Sequence, residues 1–359
     1  MDYVKSELSS VDLKFLVREL RELLVGARVD RVYQVGEREL AFRMYGKGGL
    51  DFISASNFMC VTKYRRPAPR QPSSFAMQLR KNLKGKSVRD VRQHGFDRIV
   101  EVKFDEHILV FELFSKGNVI LCDSGMKIMG LLDWQKWRDR TLGVGRVYEY
   151  PPPVKDPQLV DEDGFREVMS SSEKGVASTL ATRFSLGGYY AEKVCGDAGI
   201  DPGAAYDEVD HGMLWRAFQD FIDSLEADAN PVLEEDNVLP FGGGENRFHS
   251  FNEAVDEYFS RMEREDKEFK VEAGIESKRE RLEKQLENQL RAYEEASSGV
   301  DEERAKGDRL YQRMSELNLA LDRIRELKRK GLDDEDIMEE LKDMGFIKGL
   351  EGHRLKLDL

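Results

Sequence analysis

In the stretch QHGFDRIVEV, Asp97 stands directly before Arg98 and an apolar run begins immediately after them. An arginine offers a planar fork of N–H donors to a phosphate or a base edge. A neighbouring carboxylate can orient that fork, or accept from a base amine or ribose hydroxyl. Such a pair reads RNA rather than cleaves it. Upstream lie Lys63, Arg65, Arg66, Arg70, Arg80, Lys81, Lys84, Lys86, Arg89 and Arg92, with Tyr64 and Phe75 among them. Basic residues clustered with aromatics are the footprint of an RNA- or phosphate-facing patch. The plainer reading of Asp97 and Arg98 is a charged strand start with a surface ion pair of about 0–1 kcal/mol.

Charge supports the first reading only when divided along the chain. The 359 residues carry a net charge of -13. Residues 1–150 nevertheless hold 27 Lys and Arg against 19 Asp and Glu, whereas 151–359 hold 29 against 50. Residues 51–100 alone hold 11 bases and 3 acids. Counterion release depends on local charge, so phosphate affinity is expected in the first half.

No catalytic, metal or cofactor site is expected. Cys60, Cys122 and Cys195 are far apart and form no Cys-x-x-Cys unit, and the five histidines are scattered. The cysteines read as reduced thiols of a cytoplasmic protein. No apolar run approaches the roughly 18 to 20 residues that span a bilayer, and the start MDYVKSELSS lacks a signal-peptide core. Neither secretion nor a membrane partner is expected.

The elements that position these residues follow from periodicity. Ser9 and Ser10 cap a helix with Leu13, Leu16, Val17, Leu20, Leu23 and Leu24 at spacings of three and four, ending near Gly26. VDRVYQV, ELAFRMY, LDFISAS and MCVTKY read as strands, SFAMQLRKNLKG as a second helix, and SVRDVRQ, DRIVEVKF, HILVFELF and GNVILCD as four more strands. This β-rich domain ends near residue 155, and its strands lack the regular helical crossovers of a doubly wound fold. A helical module over 156–240 contains two helices joined by Ser-Leu-Gly-Gly, where a glycine pair permits a tight cap and close backbone approach.

The link EEDNVLPFGGGEN leads to a charge-rich arm over 250–345. Leu282, Leu286, Tyr293, Ala296, Val300, Leu310, Met314, Leu317, Leu321 and Ile324 keep heptad phase across Ser297-Ser298-Gly299. That register predicts one continuous helix, with its stripe covered by a second copy or by residues 333–347. Residues 346–359 are expected to start a returning segment.

The run PSSFAMQLRKNLKGKSVRDVRQHGFDRIVEVKF resembles the signature of the NFACT family, as do SSVDLKFLVREL, SKGNVILCD, LGGYYAEKVCGDAGID and FNEAVDEYFS in the family order. That family includes the nuclear export mediator factor, ribosome quality control subunit 2 and bacterial proteins once named fibronectin-binding protein A. The resemblance implies an α+β fold: a glycosylase-like NFACT-N β-sandwich with flanking helices, a helix-two-turn-helix module and a long coiled-coil helix. It implies binding to the large ribosomal subunit with its peptidyl-tRNA, and recruitment of tRNA for message-independent tailing of stalled chains. The family's Asp-Arg motif, implicated in engaging tRNA, falls on Asp97 and Arg98, and its early acidic residue falls on Asp12, so the resemblance implies tRNA contact at all three. The resemblance extends to no NFACT-R domain in this sequence.

Two rival functions weigh less. A DNA glycosylase of this body plan uses an N-terminal proline amine beside a glutamate, whereas this chain begins Met1-Asp2-Tyr3. A surface adhesin binding fibronectin is suggested only by the old bacterial family name.

Overall fold

The computed structural model describes residues 4–46, 48–137, 140–234, 236–242 and 248–358, so part of the glycine-rich link lies outside the described residues. The chain divides into two units, Met1–Asp266 and Lys267–Leu359. Helix α1 (Ser10–Leu24) opens on a capping box in which the Ser9 hydroxyl accepts from the Asp12 N–H and the Asp12 carboxylate accepts from the Ser9 N–H. Such a cap contributes about 1 kcal/mol. Leu13, Leu16, Val17, Leu20 and Leu24 are buried along one side.

Strands β1 (Arg28–Gln34), β2 (Leu40–Tyr45), β3 (Leu50–Ser54) and β4 (Met59–Thr62) form an antiparallel sheet in sequence order. Alternation along β2 buries Leu40, Phe42 and Met44. After α2 (Ser74–Leu83), a second antiparallel sheet contains β5 (Asp90–Gln93), β6 (Ile99–Lys103), β7 (His107–Glu112), β8 (Asn118–Asp123) and β9 (Ile128–Leu131). Phe42 and Phe52 meet Phe111 at ring-centroid distances of 6.2 and 5.8 Å, so the two sheets face each other across an apolar layer. This is the expected α+β sandwich with flanking helices. The outer side of the second sheet is also covered: Ile99, Val110, Ile120 and Cys122 pack with Leu142 and Tyr148. The covering segment carries a short hairpin, β10 (Gln135–Lys136) and β11 (Thr141–Leu142).

Helices α3 (Glu162–Ser170), α4 (Val176–Arg183), α5 (Gly188–Asp197) and α6 (His211–Ser224) follow, then the hairpin β12 (Val232–Leu233) and β13 (Val238–Leu239). Phe165, Phe184, Tyr190 and Phe218 belong to the same core as the sheets, so the change of character near residue 155 does not separate two cores. Helix α7 (Phe251–Gln312) begins in that core too, with Phe251, Ala254, Val255, Tyr258 and Phe259 buried. The arm expected from residue 250 therefore starts several turns later. Asn252 accepts from the Val61 N–H at 2.8 Å and donates to the Val61 carbonyl at 2.9 Å, while Asp256 accepts from the Lys63 N–H at 3.0 Å. These side chains satisfy the outer edge of β4.

In the second unit α7 continues through residues 297–299 without a turn, as the heptad register predicts. It stops at Gln312, however, and α8 (Met314–Arg329) begins after Arg313 takes φ -99° and ψ 17°. The single helix expected to reach Ile324 is thus two helices. Helix α9 (Asp334–Glu340) and the hairpin β14 (Ile347–Glu351) and β15 (Arg354–Leu357) complete this unit. Ala320, Ile324 and Leu327 pack against Ile337, Leu341, Phe346 and Ile347. Residues 333–347 therefore cover the end of the stripe, and Phe346 and Ile347, at the start of 346–359, join the same small core. Earlier along α7, Leu282, Leu286, Tyr293 and Val300 are exposed.

Candidate nucleic-acid interface

Asp97 and Arg98 lie in the connection between β5 and β6, which turns at Gly95 with φ +55°. They border a cleft of about 430 Å³. Its walls also include Glu7, Ser9 and Ser10 at the start of α1, Phe114 after β7, Pro151 and Pro152, and Ser185, Gly187 and Gly188 between α4 and α5. The turn is tied to α1 by Gln93, whose amide donates to the Asp97 carbonyl at 2.9 Å and the Ser10 carbonyl at 3.0 Å.

The pair divides its work differently from the simplest expectation. The Asp97 carboxylate accepts from the Arg98 backbone N–H at 2.7 Å and so shapes the turn. The Arg98 guanidinium instead meets Glu7 at 2.5 Å, with 27% of the arginine side chain and 43% of the glutamate exposed. An ion pair this open contributes about 0–1 kcal/mol, so a phosphate can displace the glutamate at small cost.

The other wall comes from the Ser-Leu-Gly-Gly junction. Ser185 takes φ +55°, a left-handed conformation rare outside glycine and concentrated at functional sites. Gly187 takes φ +80°, and a Cβ there would lie 3.3 Å from the Ser9 Cβ. A Cβ on Gly188 would meet nothing within 4 Å, so this position faces open space. Helix α5 starts here without a side-chain cap. An uncapped helix start favours anions through its partial positive charge.

Asp12 does not reach the cleft. It is 0% exposed, and its oxygens accept from Lys5 Nζ, Tyr190 Oη, the Ser9 N–H and Ser9 Oγ, each at 2.7 Å. Lys5 also donates to the Val238 carbonyl, and burial lowers its pKa against the opposing pull of Asp12. Enclosed in this way, Asp12 leaves no exposed oxygen for the direct tRNA contact that the resemblance implies. The carboxylate joins the residues before α1 to α5, and so fixes the two walls on either side of Ser9.

The basic patch is likewise redistributed, and none of its expected members borders the cleft. Arg66 is held by Glu39 at 2.9 Å and Glu263 at 2.7 Å with 9% of its side chain exposed, which removes it from a binding surface. Lys63, Lys86, Arg89 and Arg92 pair with Glu257, Glu106, Asp105 and Glu101. Arg65 is 79% exposed, 3.9 Å from Asp51. Arg70, Lys81 and Lys84 are exposed. Arg80 donates to the Val32 carbonyl at 2.7 Å, and with Lys84 borders a separate hollow of about 230 Å³ beside Asp30, Arg31 and Tyr33. The patch is therefore a dispersed surface. Among the described residues no group of three or more His, Cys, Asp and Glu is placed to hold a metal, and no helix is long and apolar enough to cross a membrane.

Sequence reasoning missed Glu7 and Phe114 as walls of the cleft, and Gln93 as the tie between the turn and α1. Nothing local marks Glu7, whereas Gln93 lies in the stretch that drew attention to Asp97. The glycine pair did point to the other wall.

Residues 9–348 match the NFACT N-terminal and middle domains. The archaeal Rqc2 homologue aRqcH of Methanocaldococcus jannaschii is 29% identical over 357 residues, covering 91% of this chain and 53% of that protein. The ribosome quality control complex subunit NEMF of Mus musculus is 26% identical over 343 residues, covering 82% and 32% respectively. The chain thus spans about half the length of the archaeal relative and about a third of the mouse one. Among solved structures, the N-terminal part of the fibronectin/fibrinogen-binding protein from Streptococcus suis has the same fold. Its TM-score is 0.58 at 24% identity, with 71% of this chain and 100% of that one covered.

Proposed function

Because the chain belongs to the NFACT family, we propose that it is a ribosome quality-control factor. In this reading it binds the large ribosomal subunit with its peptidyl-tRNA and recruits tRNA for message-independent tailing of stalled chains. The names of the archaeal and mouse relatives support the quality-control role. The observation that carries the tRNA role is that Arg98 and the uncapped start of α5 share one cleft. A phosphate entering it exchanges the weak Glu7 contact for a charge-assisted bond to Arg98 and the favourable field of the helix. Asp97 holds the turn, and Asp12 acts by positioning. The exposed Arg65, Arg70, Lys81 and Lys84 add attraction that does not depend on sequence. Peptide bonds are formed by the ribosome, and the chain itself is not an enzyme.

The test is sedimentation of the chain with large subunits that carry peptidyl-tRNA, followed by sequencing of the tRNAs recovered with it. Co-sedimentation with enrichment of particular tRNAs supports the reading. A chain that stays at the top of the gradient and recovers no tRNA contradicts it.

A further inference from the structure

Trp137 is 38% exposed beside a cation that is itself 8% exposed, Arg140. The Arg140 guanidinium donates to both oxygens of Glu112, at 2.7 and 3.0 Å, and to the Glu149 carbonyl at 3.1 Å. The Tyr148 hydroxyl donates to the same glutamate at 2.8 Å. So fixed, the guanidinium lies 4.5 Å from the Trp137 ring centroid and 5.8 Å from that of Phe114, which lines the cleft. The Trp137 backbone N–H donates to the Arg140 carbonyl at 2.9 Å and closes the β10–β11 hairpin. A line of ring and guanidinium faces therefore runs from the cleft to an exposed indole. Replacing a buried ion pair with apolar residues is often neutral or stabilising, so the pair is weak as a stability device.

We propose that Trp137 is a stacking platform for an unpaired base of an RNA whose phosphate occupies the cleft. The inference rests on the RNA-binding reading above and names the part of the RNA that is held. Arg140 backs one face of the indole and the exposed remainder of the ring receives the base. Base stacking on an aromatic ring is sequence-tolerant because every base has a π-face. Lys127, Lys136 and Arg146 are exposed around the hairpin and attract a polyanion rather than an apolar or basic peptide. Trp134, at the other end of the hairpin, is 62% exposed but, among the described residues, stacks on no cation or ring. It serves as an internal control.

The chain contains 3 tryptophans, and the third, Trp215, is 9% exposed in α6. The full chain is titrated with a single-stranded adenosine dodecamer and with a blunt RNA duplex, reading both intrinsic fluorescence and the anisotropy of labelled RNA. The single strand is expected to quench wild type and Trp134→Phe but not Trp137→Phe, while the duplex leaves all three unquenched. Trp137→Ala weakens single-strand binding roughly 5- to 100-fold. Binding with equal quenching in Trp137→Phe, or equal quenching by the duplex, overturns the platform alone. Trp137→Phe retains a ring in the hairpin, so this comparison remains available if the alanine variant misfolds. Absence of anisotropy change for wild type with either RNA overturns the RNA-binding reading and the platform with it.

Discussion

Replacing Asp12 with alanine should destabilise the fold rather than remove a ligand contact. The carboxylate is fully buried and accepts four hydrogen bonds, each at 2.7 Å, from Lys5, Tyr190 and Ser9. Removing it strands Lys5, whose side chain is 3% exposed, at about 3–5 kcal/mol for a broken buried pair. Loss of the carboxylate half of the α1 capping box, which accepts from the Ser9 N–H, adds up to about 1 kcal/mol, while the Ser9 hydroxyl still caps the backbone N–H of residue 12. Against typical stabilities of roughly 5–15 kcal/mol, this predicts a melting temperature lower by on the order of 10 °C or more. The pH dependence has a defined sign. Burial lowers the folded-state pKa of Lys5 below the ordinary lysine value of 10.5, so in the window between the two the folded state binds fewer protons and stability rises with pH. Asp12 opposes that shift, so its removal should steepen the gain in melting temperature between pH 7 and pH 9. Thermal melts followed by near-ultraviolet circular dichroism, with tRNA binding measured on the same preparations, check this. If Asp12→Ala melts with wild type while losing tRNA binding selectively, the carboxylate touches the ligand and the positioning role is wrong.

Three further outcomes follow from the packing. Gly117→Ala should lower the urea midpoint by an amount equivalent to about 2 kcal/mol or more, because φ is +67° and the new Cβ would lie 2.5 Å from the Ser56 Cα; an unchanged midpoint refutes the close approach. Burial raises Cys195 to about 11 and Cys122 to about 12, and pushes up the buried Cys60 as well. All three should therefore resist a thiol reagent at pH 8 until the chain unfolds, and labelling within seconds in the native state contradicts this. Burial also raises the pKa of Glu19 despite N–H bonds from Asn252 and Phe251, so its contribution to stability falls as pH climbs from the ordinary glutamate value of 4.5 through the raised folded value. Glu19→Gln should flatten that decline in urea midpoints, and an identical slope assigns it to other groups.

What the sequence disclosed and what it withheld have physical causes. The first eight strands and both early helices were legible through alternation in β2, where Leu40, Phe42 and Met44 are buried, through three-and-four spacing in the helices, and through continuous apolar runs in β6 to β8, which are covered on both sides. The two-residue strands at Gln135–Lys136 and Thr141–Leu142 are too short to carry a period. The second unit's core was half legible: residues 333–347 stood as one of two covers for the stripe, but Ile337, Leu341, Phe346 and Ile347 are spread over a seven-residue helix and a hairpin, too short a pattern to decide between the two. In the cleft, Asp97 and Arg98 were visible as an abrupt charge pair before a strand. The partner of Arg98 was not, since Glu7 is brought to it only by folding. Counting bases in residues 51–100 also overstated the patch, because sequence charge does not reveal that Arg66 is sealed between Glu39 and Glu263.

The central claim is that tRNA is engaged through the cleft at Asp97 and Arg98. Its most direct test is an equilibrium titration of the full chain with tRNA, comparing wild type with Asp97→Ala/Arg98→Ala, alongside large-subunit co-sedimentation of the same two proteins. Loss of a charge-assisted contact of about 1.5–3 kcal/mol predicts tRNA binding weaker by roughly 10- to 100-fold. Melting should stay near wild type and subunit association should fall less, because the dispersed basic surface remains. Unchanged tRNA affinity in a folded double variant would contradict the account and return Asp97 and Arg98 to the role of a strand start and a surface ion pair.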